Sequence, residues 1–377
     1  MCRVVRTELL TAHGVCLLLL CYCETMNSNE QEAGDAPTGA LPAATDADVT
    51  YDSAQGGPTA EPEPEGNGSR PRRRRVRLPI ILFLLTCAST FLAGATNFEP
   101  EVYFFEAVGV HPRTFAIQPP TLMPLRQNIY QHWRVGLLYM SCVLGILLAH
   151  EMGHFVLTLV HRVRASLPFF IPLPISPIGT MGAVIAMDGR QANRREIFDI
   201  GIAGPLAGLV VALPIMWIGV QQMDLRPSSG PNLQIPLAMR LAIEYVHPNQ
   251  YDPRVGFSLT GANPYFMAGW VGLLVTGLNM LPISQLDGGH VTYALFGRRA
   301  HWLARAFMGV ALVYIAIITI VDRTFPPWIL MVALVLLIGT DHPPTKDDSV
   351  PLGPVRTALG YASLLIPIFC FVPNLQV

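Results

Sequence analysis

The sequence predicts an all-α polytopic membrane protein, with five to seven transmembrane helices and a short β-hairpin or re-entrant strand after the second of them. Three observations carry this. Of the 377 residues, 51% are hydrophobic and 14% charged, against roughly 25% charged in an ordinary soluble domain, and mean hydropathy is +0.41. Apolar runs of membrane-spanning length then recur along the chain, which makes the lipid bilayer the expected surroundings. Finally, the charges nearly cancel, to a net −1. No broad basic surface exists to neutralise phosphates, and nucleic acid is excluded as a partner.

Taken in order, residues 24–70 are rich in Glu, Asp, Ala, Pro, Gly, Ser and Thr and bury too little apolar area to offset the entropy of ordering; they are expected to be disordered. Ahead of them, Arg3 and Arg6 precede the apolar run Val15 to Tyr22, which resembles a signal-peptide core without a cleavage site. A signal peptide would export the acidic segment, whereas the Arg70 to Arg77 cluster favours keeping it in the cytoplasm. Initiation at Met26 is the expectation that removes this conflict. The cysteines at positions 2, 16, 21 and 23 are confined to this end, and Cys87, Cys142 and Cys370 fall in apolar runs, so no disulfide framework is expected.

Five spans are expected at Leu78 to Ala95, Val135 to Val160, Phe198 to Val220, Tyr265 to Pro282 and Trp302 to Val321. Two shorter apolar segments, Trp328 to Thr340 and Val355 to Phe371, bring the total to seven if both cross. The arginine cluster beside the first span puts its N-terminal end in the cytoplasm, and threading the spans from there places Arg162, Arg164, Arg194, Arg195, Arg298 and Arg299 on that same side. Between the second and third spans, Gly179 to Gly189 reads as a short strand bounded by turn residues. Pro168, Pro172, Pro174 and Pro177 precede it and break regular structure. The strand's edge is a place where an unwound peptide could add; ordinary hairpin packing is the plainer alternative.

The chemistry lies in the second span. An ionisable residue in a bilayer is expensive and marks function, and this span carries His150, Glu151 and His154 in the sequence His-Glu-Met-Gly-His. Residues four apart on a helix differ by about 40° in direction, so both imidazoles face one metal ion, with Glu151 placed to take a proton from metal-bound water. Histidines serving only as interhelical polar contacts are the alternative. A catalytic zinc site needs a third protein ligand. His150 lies about 22 Å along its span, past the midplane. Asp287, in the segment Asn279 to His290, arrives at a similar depth from the fourth span. It competes with His290 for the third-ligand role, and a helix N-cap after Pro282 would also account for it.

His150 to His154, the glycine-rich Ala203-Gly204-Pro205-Leu206-Ala207-Gly208 and the stretch Asn279 to Gly289 together resemble the site-2 protease family of intramembrane zinc metalloproteases, over about Val135 to Arg299. The resemblance implies Zn2+ held by His150, His154 and Asp287, Glu151 as general base and acid, Asn279 on the substrate or transition-state side, and a transmembrane protein as substrate. It divides the chain into an N-terminal segment (1–77), a first helix with its external loop (78–134), a metalloprotease core (135–300) and C-terminal helices (301–377). The loop Gln221 to Pro264 is too short for the PDZ domain that some members insert, and Asp341 to Pro354 too short for a nucleotide-sensing domain. Two other functions remain open: a catalytically silent chaperone or adaptor on the same scaffold, and a metal-ion transporter.

Overall fold

A computed structural model describes residues 76–111, 114, 116–187, 189–224, 232–248, 250, 257–258, 262–283, 286–321, 332 and 345–371. The expectations for the acidic N-terminal segment, the start site and nearly all of the span at 328–340 lie outside the described residues. So do parts of the 221–264 and 341–354 loops.

Helix α1 is Arg77–Ala95 and the short α2 is Pro100–Ala107. The 38-residue α3, Met123–Val160, extends well beyond the expected span and departs from helical geometry at His132. At 1.5 Å per residue its length is about 57 Å, nearly twice a hydrocarbon core, so its first turns rise out of the bilayer. Strands β1 (Phe169–Pro172) and β2 (Thr180–Val184) form an antiparallel pair with an irregularity between Phe170 and Pro172. The hairpin was expected, but its first strand falls where the prolines pointed to irregular chain. Pro172 closes that strand beside the irregularity, where a proline costs no ladder hydrogen bond.

Helix α4, Arg194–Gln221, begins at a capping box: the Asn193 side chain accepts from the backbone N–H of Arg195 and Glu196, and Glu196 reaches back to the Asn193 N–H. Strands β3 (Asn232–Leu233) and β4 (Phe257–Ser258) pair beyond it, flanking α5 (Leu237–Val246). Then come α6 (Pro264–Asn279), α7 (Asp287–Phe296), α8 (Ala300–Val321), α9 (Pro354–Ser363) and α10 (Ile366–Cys370).

Among the described residues, four helical stretches are long and apolar enough to cross a membrane: α1, α3, α4 and the run from α7 through α8. The expected fourth span, α6, is a helix of 16 residues, about 24 Å long. It need not match the bilayer because protein surrounds it: Phe266, Met267, Ala268, Val271 and Leu273 are all at most 1% exposed. The expected last segment is divided between α9 and α10. Outward residues of the long helices, such as Ile80, Leu84, Val310, Val313 and Ile320, are apolar and exposed, as a lipid-facing surface requires.

Lipid supplies little hydrophobic drive between helices, so small residues and close contact must hold them. A Cβ on Gly153 of α3 would lie 2.5 Å from the Ala203 carbonyl oxygen of α4, and one on Gly269 of α6 would lie 2.6 Å from Met216 Cα of α4. The hairpin is fastened to the bundle at its turn: Ser89 Oγ of α1 donates to the Gly179 carbonyl at 2.6 Å, and Tyr139 Oη of α3 donates to the Ile178 carbonyl at 2.9 Å. Gly179 has φ of +79°, and any Cβ there would meet Thr90 Cα at 2.7 Å. Glycine is required on both counts.

Candidate metal centre

Helix α3 carries His150, Glu151 and His154 into the protein interior, where they are 2%, 4% and 9% exposed. The two imidazole centroids are 5.0 Å apart. Helix α7 begins at Asp287, with Leu286 as its N-cap residue. The aspartate therefore does not cap the helix; its carboxylate faces both imidazoles. His150 Nε2 lies 3.2 Å from Oδ2, and His154 Nε2 lies 3.3 Å from Oδ1. Of the expected residues, His150, His154 and Asp287 are brought together. His290, the rival third ligand, is not part of that group and instead packs by its Cβ toward Gly201 of α4.

Asn279, the last residue of α6, also reaches the centre: its Nδ2 lies 3.2 Å from His150 Nε2. His154 is held from behind, with Nδ1 2.7 Å from the Ile200 carbonyl of α4. A carbonyl only accepts, so Nδ1 carries a proton, and in the neutral ring Nε2 presents a lone pair toward Asp287. This backbone partner has no signature in the sequence. The space beside the rings does have one, in the glycine-rich stretch: a Cβ on Gly204 would overlap the His154 imidazole at Nε2, and one on Gly208 would come 3.1 Å from His150 Nδ1. The glycine-rich stretch of α4 leaves room beside both imidazoles, at the ligand nitrogen of His154 and at the far nitrogen of His150.

Does a zinc ion fit these side chains? Each residue offers one ligand atom, all within 4.8 Å of one another. Ligands bound at about 2.0–2.1 Å in tetrahedral directions sit roughly 3.3 Å apart. The imidazoles approach different oxygens of the carboxylate, His150 at 3.2 Å from Oδ2 and His154 at 3.3 Å from Oδ1, so the three side chains are close enough to share one ion once a single oxygen turns toward both rings. Two neutral imidazoles and one carboxylate are a donor set suited to zinc.

Residues 138–321 match peptidase family M50. The protein named "Probable zinc metalloprotease EGY1, chloroplastic" from Arabidopsis thaliana is 28% identical over 313 residues, covering 78% of this chain and 53% of its own length. "Probable zinc metalloprotease EGY2, chloroplastic" from the same plant is 25% identical over 248 residues, 63% of this chain and 41% of its own length. "Probable zinc metalloprotease EGY3, chloroplastic" from Oryza sativa subsp. indica is 26% identical over 248 residues, 61% and 41% of the two chains. The chain thus spans about half the length of the curated relatives it matches. A bundle of long apolar helices in which a His-Glu-x-x-His helix faces a distant aspartate has the side chains of a metal centre. Over residues 138–321 the chain is thus similar to peptidase family M50, and over a longer stretch to these relatives.

Proposed function

We propose that the protein is an intramembrane zinc metalloprotease that hydrolyses peptide bonds of membrane-anchored protein substrates within the core at 135–300. The observation that carries this is the convergence of His150, His154 and Asp287 from two helices beside a buried Glu151. In this reading His150, His154 and Asp287 hold the zinc, which when bound polarises a carbonyl and lowers the pKa of water. Glu151 takes the water's proton and returns it to the leaving amine, and its burial keeps bulk water from competing. The Nδ1–H donated by His154 to Ile200 keeps the other ring nitrogen free for the metal. Asn279, with its amide beside His150, is placed to donate to a developing oxyanion.

A peptide bond in a helix has its carbonyl engaged, so the substrate must unwind before attack. Strand β2 pairs with β1 on one side, and its other edge suits the addition of an extended peptide. We assign the site to the arginine-rich, cytoplasmic side of the bilayer, on the distribution of Arg162, Arg164, Arg194, Arg195, Arg298 and Arg299. A transporter would need further ligand clusters along a path; among the described residues one such group is present.

The test is capture on a Glu151→Gln variant, which keeps the zinc ligands and loses the proton acceptor. Membrane-anchored proteins should accumulate intact on that variant, and wild-type protein should convert the same proteins to fragments. Identical membrane-protein profiles, intact and fragmented, in wild-type and Glu151→Gln membranes would overturn the proposal.

A further inference from the structure

The Ile200 carbonyl that orients His154 is immediately preceded along the chain by Asp199, the centre of a second cluster that the metal chemistry does not use. Asp199 accepts from Arg356 Nε at 2.6 Å and from a terminal guanidinium nitrogen at 2.9 Å, a two-pronged pair joining α4 to α9. His161 Nε2 lies 3.3 Å from Oδ2 of the same carboxylate, the oxygen that accepts from the Arg356 terminal nitrogen, but outside hydrogen-bond alignment. His161 ends α3 seven residues after His154, so the two imidazoles share one face of that helix.

The chain leading to Arg356 is a strap. The Lys346 N–H donates to the Ala192 carbonyl, the Arg194 N–H to the Asp347 carbonyl, and the Arg195 guanidinium to the Pro351 carbonyl. Tyr293 Oη of α7 donates to Asp348 Oδ2 at 2.9 Å. Leu352, 6% exposed, packs with Phe198 and Ile202 of α4 and with Val291 and Ala294 of α7. Beneath it, Arg194 donates from Nε to the Ala294 carbonyl at 2.7 Å and from a terminal nitrogen to the Leu295 carbonyl at 3.2 Å, closing the end of α7. The strap therefore spans α4 and α7, whose relative position sets the distance between the Ile200 carbonyl and Asp287.

We propose that Asp199 and Arg356 are positioning residues for the metal centre: by pinning the strap to α4 they hold the Ile200 carbonyl against His154 and α7 against α4. The assignment rests on the zinc site proposed above. The Arg356 side chain is 37% exposed and Asp199 16%, and exposed pairs contribute little to global stability. The effect belongs to the site, because partners that orient a ligand change metal affinity by about 10- to 100-fold.

The experiment uses the full chain in detergent, loaded with zinc and challenged with EDTA, with zinc release followed by a chromogenic indicator. Arg356→Gln and Asp199→Asn should each release zinc about tenfold faster than wild type, with kcat on a captured substrate reduced and KM little changed. Arg356→Lys, which keeps the charge but loses the two-pronged contact, should fall between. Release at the wild-type rate from Asp199→Asn and Arg356→Gln would overturn the proposal. If those two fail to fold, a wild-type rate for Arg356→Lys overturns it instead. A wild-type protein that holds no zinc would refute the site itself, a distinguishable result.

Discussion

The His-Glu-x-x-His pair could be recognised from the sequence because both ligands sit on one helix, where the 3.6-residue period alone sets their directions. Asp287 lies 133 positions beyond His154; its estimated depth in the bilayer and the family resemblance of Asn279 to Gly289 pointed to it ahead of His290. The Ile200 carbonyl could not be recognised, since a backbone oxygen is the same at every position. Replacing His150, His154 or Asp287 with Ala should each remove most of the bound zinc, whereas Glu151→Gln should leave it in place; metal analysis of the purified variants checks this. Gly204→Ala should also lower zinc content, because the added methyl would overlap the His154 ring, and overpacking of this kind costs about 1–3 kcal/mol.

Outside the membrane, Glu101 of α2 gives a separate residue-scale prediction. Burial raises its carboxyl above the ordinary range, with Glu99 adding to the effect, and one of its oxygens is buried without a hydrogen-bond partner. A carboxyl with a raised folded-state pKa binds its proton more tightly when folded. Its contribution to stability is present below the unfolded pKa and lost as pH rises through the folded value. Glu101→Gln should therefore raise the thermal midpoint at neutral pH and flatten its decline between acidic and neutral conditions, as thermal unfolding in detergent would show. An unchanged pH profile would refute this.

At the level of elements, the apolar runs marked α1, α3, α4 and α8 plainly, because lipid contact demands unbroken hydrophobicity. Helix α6 is shorter than the other apolar runs and is buried in protein at the centre of the bundle. Composition cannot separate a helix buried in lipid from one buried in protein, since both are apolar all round. Strand β1 was concealed by its prolines, whose local preference was outweighed by pairing with β2 and by the contacts that fasten the turn to α1 and α3. If the free edge of β2 receives substrate, Met181→Pro and Val184→Pro, at positions 37% and 40% exposed, should raise KM several-fold while zinc content stays at the wild-type level. Gly179→Ala should impair the hairpin as a unit and lower expression and thermal midpoint together, because it combines an unfavourable φ with a clash against α1.

At the scale of the whole molecule, the distribution of arginine supplied the orientation, and distances within the bundle cannot replace it. Single cysteines at Arg298 and at Tyr130, introduced into a chain otherwise lacking cysteine, should react with an impermeant maleimide from opposite faces of sealed vesicles. Labelling of both from one face would overturn the proposed topology. The two halves of the metal centre arrive on α3 and α7, and α7 begins at Asp287 as a helix separate from α6, which ends at Asn279. In a bilayer each helix stays formed on its own, so the ion's mechanical role is that of a lateral rivet between helices free to drift apart. Chelation should then loosen the bundle without unwinding it. Amide exchange in α7 and in the turns around Ile200 would quicken, helical content would stay constant, and the apo-protein would lose first the alignment on which the next zinc ion depends.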